Sequence, residues 1–151
     1  MNTRKFVIGN QKFQTLDNKY YYVNPRKYIA SIIKVSSSEF QFKWKRFFMS
    51  IHPNELWYEE FPVRPYLHQR YRLDLMCPAL KLAIECHGDQ HVSLSDYFHK
   101  GDKSIFYEHL RRDREKELWC EKNRFAHISV YTTTPYDREF FKKTYPNIKW
   151  K

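Results

Sequence analysis

Apolar positions recur along this chain with two periods. Between Ser36 and Ile51, residues Phe40, Trp44, Phe47, Phe48 and Ile51 fall at helical spacing, and serines precede Glu39 as helix N-caps do. His52-Pro53-Asn54 closes that helix. Residues 56–63 then read as a strand, and 72–78 and 81–87 as two more, joined by a turn about Ala79-Leu80. A polar loop over 92–101 leads to a long helix at 102–122, ended by Asn123-Arg124, and 126–132 is a fourth strand. The tail from Pro135 is basic and helical around 137–143. Ahead of these, 1–35 reads as one or two short strands (Phe6-Val-Ile8 and Tyr20–Val23) and a short helix over 26–34. From residue 36 onward the order is αβββαβ, a mixed α/β pattern.

Two strand positions break the apolar pattern. Asp74 sits between Leu73 and Leu75, and Glu85 follows Leu82-Ala-Ile84. Strand side chains alternate faces, so Arg72, Asp74 and Met76 share one face, as do Ala83, Glu85 and His87. A hairpin about Ala79-Leu80 sets Asp74 opposite Glu85 and Arg72 opposite His87. Opposed residues of an antiparallel pair lie about 4.5–5.5 Å apart at Cα. Two carboxylates held that close repel, and burial raises the cost. A divalent cation between them removes both penalties.

Charge points to the same chemistry. There are 27 Lys+Arg against 17 Asp+Glu, a formal net charge of +10, which favours a polyanionic partner. Aromatics make up 19% of the chain; interleaved with bases they suit nucleic acid, though a Tyr/Phe-rich core explains them as well. Three cysteines without framework spacing predict a reducing compartment. No apolar run approaches the ~20 residues of a membrane span, and the N-terminus has no signal-peptide core. A cytoplasmic protein away from membranes is expected. The chain is long enough for one domain with its own core. The basic segment 1–35 is an N-terminal extension on a domain at 36–151, whether as a DNA-binding arm, an oligomerisation arm or an edge of the core.

Asp74, a short gap, then Glu85-Cys86-His87-Gly88-Asp-Gln-His91 resembles the core of the PD-(D/E)xK nucleases, with His87 where the lysine usually stands. It is similar to the variant found in phage and mobile-element nucleases: homing endonucleases with a Glu-Asp-His-Asp catalytic set, and very-short-patch repair endonucleases. The resemblance covers roughly 36–131. It implies a restriction-endonuclease-like αβββαβ core, a mixed central sheet flanked by helices. It implies Mg²⁺ (or Mn²⁺) held by Asp74, Glu85 and the Cys86 carbonyl, serving DNA hydrolysis. His87 or His91 would move the proton, and Gly88 would supply a backbone conformation closed to other residues. Glu39 matches the helix carboxylate of the family, with Glu59 and Glu60 as substitutes, and Asp113 resembles its downstream helix acid. Arg72, Arg111, Arg112, Arg114 and Lys116 would contact phosphates. Double-strand cleavage by a chain this small implies a homodimer or two sequential nicks.

Each residue also has a plainer account. Asp74 can pair with Arg70 or Arg72, and Glu85 with Lys81. Glu39 can serve the helix dipole, Asp113 can pair with Arg112 or Lys116, and the basic helix face can simply be solvated. Cys77, Cys86, His87 and His91 make an alternative zinc set, although paired short spacings are missing. The competing functions are a non-catalytic nucleic-acid-binding protein, an RNA-processing nuclease and a zinc-stabilised interaction module.

Overall fold

The computed structural model describes residues 9–88 and 103–150. In chain order the elements are β1 (Gln11–Gln14), β2 (Tyr20–Val23), α1 (Glu39–Ile51), β3 (Tyr58–Val63), β4 (Tyr71–Cys77), β5 (Leu82–His87), α2 (Lys103–Lys122), β6 (Ala126–Tyr131) and α3 (Arg138–Thr144). From α1 to β6 the order is the αβββαβ expected from the sequence.

The main sheet runs β3-β4-β5-β6, and β1-β2 form a separate antiparallel pair. β3, β4 and β5 pair antiparallel, while β6 lies parallel to β5. A parallel neighbour needs a crossover, and α2 supplies it. The β4–β5 register, Leu75↔Ile84 through Cys77↔Leu82, is the one the turn position demands. Lys81 closes that turn in the left-handed region at φ 52°, its N–H donating to Pro78 O at 3.1 Å.

Period-two alternation splits the core into two layers. Leu75, Cys77, Leu82, Ile84, Ile128 and Val130 face α1 and α3, meeting Trp44, Phe48 and Phe141. Met76 and Ala83 face the other way, against Trp119 and Cys120 of α2 and Phe13, Tyr21 and Val23 of the β1–β2 hairpin. α1 begins where Ser38 accepts the Gln41 N–H at 3.1 Å, and it ends where the His52 N–H returns to Phe48 O. α2 ends in a left-handed Arg124 at φ 64°, with the Phe125 N–H reaching back to Cys120 O at 2.7 Å.

The N-terminal segment differs from its sequence reading. Gln11–Gln14, not foreseen as a strand, pairs with Tyr20–Val23 and buries Phe13, whose ring lies 5.4 Å from that of Trp119. The helix expected over 26–34 is a single 3-10 turn at Pro25–Tyr28, capped by Asn24. Beyond it the chain turns extended, because Ile29 bridges to Tyr58 and the Ala30 N–H donates to Trp57 O at 2.9 Å. These bonds seat the segment on the edge of β3. The described part of the extension is thus continuous with the core. Phe6–Ile8 lie outside the described residues, as does the loop expected at 92–101.

Candidate active site

Three elements converge on the face shared with α2. One step beyond Leu75↔Ile84, the register sets Asp74 of β4 across from Glu85 of β5. The two carboxyls are close enough to act on each other's titration. Asp74 Oδ2 also accepts the Cys86 N–H at 2.7 Å. From α2, the Lys116 ammonium stands 3.0 Å from Glu85 Oε1, with side chains 13% and 9% exposed. Neither acid adopts the pairing its plainer account proposed: Arg72 lies 3.9 Å from Glu60, and Lys81 sits over the Phe125 ring.

Burial pushes the Glu85 carboxyl well above the usual carboxylate range, and repulsion from Asp74 adds to it, against the pull of Lys116. Burial raises Asp74 too, opposed by Glu85 and by the hydrogen bond from the Cys86 amide. One cation stands against two buried acids, and both carboxyls are held toward their neutral forms.

The acids sit in a cleft of about 850 Å³, also lined by His87, Asp113 and Arg112, with Arg70 and Arg72 at its β4 side. His87 shares the face of Glu85 by alternation. Its ring stacks on Tyr131 at 4.9 Å, and Nε2 lies 3.3 Å from Ser129 Oγ. His91 lies outside the described residues.

Several expected positions move. Glu39 is not brought to the cleft: its side chain is 84% exposed and pairs with Lys43 at 3.5 Å, one helical turn on. Glu60 stands there instead. The β3–β4 register places it level with Asp74, and its φ of 54° is a left-handed conformation inside a strand. For a non-glycine residue that costs about 1–2 kcal/mol. Ser37 Oγ and Gln41 Nε2 both donate to Glu60 Oε1 at 3.1 Å, holding it in place. Its neighbour Glu59 is taken up by the fully buried Lys45, Nζ to Oε2 2.9 Å. Lys116, expected among the phosphate contacts, is turned inward onto Glu85. Arg111 and Arg114 run along α2 to Glu115 and Glu117 at 3.5 and 3.0 Å, outside the cleft lining, whereas Arg112 and the exposed Arg72 line it.

Gly88 sits close to α1. A Cβ there would come within 3.3 Å of the Phe40 ring, and its φ is not in the left-handed region. The zinc set does not assemble among the described residues: Cys77 is buried on the α1 side while His87 faces α2, and no three metal-ligating side chains gather.

Ser129 and His127 were not singled out from the sequence. They pair with Glu85 and Ala83 in the parallel ladder, so the polar alternation His127-x-Ser129-x-Tyr131 runs beside the strand that carries Glu85 and His87. Burial lowers the His127 pKa and favours the neutral ring. Lys116 had no such signal; 31 residues of chain separate it from Glu85, and only α2 packing brings them together.

The chain matches no protein family, no curated protein and no solved structure. No helix among the described residues is long and apolar enough to cross a membrane.

The two carboxyls fit a hard divalent ion. They offer oxygens alone, on adjacent strands and facing one cleft. Mg²⁺ needs only one or two protein carboxylates and completes its shell with water. Cys86 contributes its N–H to Asp74, which fixes the orientation of that carboxylate.

Proposed function

We propose that this chain is a metal-dependent DNA endonuclease of the PD-(D/E)xK type, encoded by a phage or mobile element and working inside the host cell. The observation that carries the reading is the buried Asp74–Glu85 pair facing a cation-lined cleft with Lys116 beside it. Mg²⁺ or Mn²⁺ would be held by Asp74 and Glu85, with the Cys86 carbonyl as a further oxygen. Bound there, such an ion polarises a phosphoryl oxygen and lowers the pKa of a coordinated water.

The chain's own residues do the rest. Asp74, oriented by the Cys86 amide, and Glu85 bind in their ionised forms, so loading the site is coupled to the release of any proton they carry. Lys116 neutralises Glu85 and places positive charge at the floor of the cleft, beside the developing negative charge of the phosphoryl group. His87, fixed by Tyr131 and Ser129, carries the proton to or from the reacting oxygens. Arg72 and Arg112 meet the flanking phosphates. This division of labour gives the fixed charge to Lys116 and leaves proton transfer to the histidine, two tasks that a lysine after Glu85 would combine.

The test is plasmid cleavage in EDTA, Mg²⁺ and Mn²⁺ by the wild type and Glu85→Ala. Metal-dependent nicking or linearisation that the variant loses supports the proposal; full activity in EDTA or in the variant refutes it. The Lys116–Glu85 contact also suits a second reading, a nucleic-acid-binding protein that does not cut, because the pair is partly neutralised by protein alone. DNA binding that persists in Asp74→Ala, with no metal-dependent cleavage by the wild type, selects that reading.

A further inference from the structure

A second groove, of about 370 Å³, continues from the cleft, sharing Ser37, Glu60, Arg70 and Arg72 with it. One wall runs from the 3-10 turn, which carries Lys27, to the stretch before α1, which carries Lys34; the other is β3–β4, with Arg72 on β4 and Arg70 just ahead of it. Two acids lie in it. Glu59 is cancelled from beneath by Lys45, which is not part of the lining, so of the two only Glu60 offsets the four cations. The groove keeps a net positive charge of three.

Its walls are fixed in place. Besides the Ile29 bridge and the Ala30 bond to β3, the Lys34 carbonyl accepts the fully buried Lys45 Nζ at 2.6 Å. On the other wall, Arg70 Nη2 donates to Tyr28 Oη at 3.1 Å, tying the approach to β4 to the N-terminal segment. Irregular chain held by a buried ammonium keeps its geometry before any ligand arrives, which lowers the cost of ordering it on binding. The Lys27 and Lys34 side chains remain exposed.

We infer that this groove is the track along which the DNA backbone leaves the active site, with Lys27, Lys34 and Arg70 gripping phosphates on one side of the scissile bond. The inference rests on the nuclease reading and adds to it a direction: the substrate extends from the acid pair over β4 toward the N-terminal segment. The acidic floor and cationic rims suit a phosphate backbone lying across the rims, and they disfavour an acidic side chain reaching the floor. Contacts of this kind carry no sequence information, so the track would position DNA of any sequence.

The test is fluorescence anisotropy with a fluorescein-labelled DNA duplex in EDTA, across a salt series, using the full chain. The double variant Lys27→Ala/Lys34→Ala is compared with Lys142→Ala/Lys143→Ala on α3, which removes equal charge elsewhere. Expected is an affinity loss of at least about tenfold in the groove variant, with a salt slope reduced by about 1.5–2, and near-wild-type binding in the α3 variant. Wild-type affinity and slope in the groove variant, or an equal loss in the α3 variant, overturn the inference. Because binding is read without metal, a chain that never cuts DNA still reports on the groove, and a failure of the groove leaves the cleavage result standing.

Discussion

The Lys116 ammonium reaches across from α2 to within 3.0 Å of Glu85 Oε1, and both side chains are nearly closed to water. Removing one partner of such a pair strands the other, at a cost of about 3–5 kcal/mol when the remaining charge has no escape. Glu85 has an escape, since it can take up a proton. Lys116→Met therefore folds at acidic pH and loses stability as the pH rises, while its cleavage rate falls by about 10²–10³. Thermal melts at two pH values and a nicking time course check both halves. Wild-type cleavage by Lys116→Met would show the lysine to be structural only.

The acid pair sets a pH dependence of its own. The folded pKa of Glu85 is raised above the unfolded value, so between the two the native state holds a proton that the unfolded chain has released. Stability is then lost as pH climbs through that interval, the reverse of a salt-bridged carboxylate. In metal-free protein, Glu85→Gln is expected to match the wild type near the unfolded carboxylate pKa and to melt higher in mildly alkaline buffer. Each kcal/mol corresponds to about 2–4 °C for a chain of this size. Differential scanning calorimetry in EDTA measures it, and a flat difference across pH would contradict the assignment.

Glu60 stores backbone strain at φ 54° and is tied down by Ser37 and Gln41. Substituting alanine keeps the strain and removes the ties; substituting glycine removes both. Glu60→Gly should therefore be more stable than Glu60→Ala by about 1 kcal/mol, the reverse of the order in an ordinary strand position. Urea denaturation of the two variants decides the sign.

Glu39 stands apart from the cleft, in an ion pair with Lys43 one helical turn on. Glu39→Ala should leave cleavage unchanged and cost no more than about 0.5–1 kcal/mol through the helix terminus. Glu60→Ala, at the cleft, should lower the cleavage rate. Side-by-side nicking assays separate the two acids, and a large loss in Glu39→Ala would return that residue to the site.

What the sequence made legible follows the range of the forces involved. The meeting of Asp74 and Glu85 could be read because alternation and a turn position fix a hairpin register within 20 residues. α1 could be read because Ser38 and the spacing from Phe40 to Ile51 are local signals. The contact of Lys116 with Glu85 could not be read because α2 is basic on several sides, and only packing of Trp119 and Cys120 against the sheet determines which side turns inward. β1 was missed because Gln11–Gln14 has one buried residue, Phe13, too short a pattern to show a period. The 26–34 helix was overextended because its cap at Asn24 is real, yet edge pairing of Ile29 and Ala30 with β3 outweighs a second turn. The left-handed backbone of Glu60 has no sequence mark at all, since glutamate rarely adopts it.

The parallel neighbour of β5 also bears on how the molecule assembles. The β4–β5 hairpin closes locally, so its two acids can meet early while still bathed in water. β6 can join only after the whole crossover has been laid down, and α2 seals the acids from solvent at that point. From this topology the electrostatic penalty of the cluster is expected late in folding, so that substitutions within it change how long the native state survives more than how fast it is reached; chevron plots of Glu85→Gln check this.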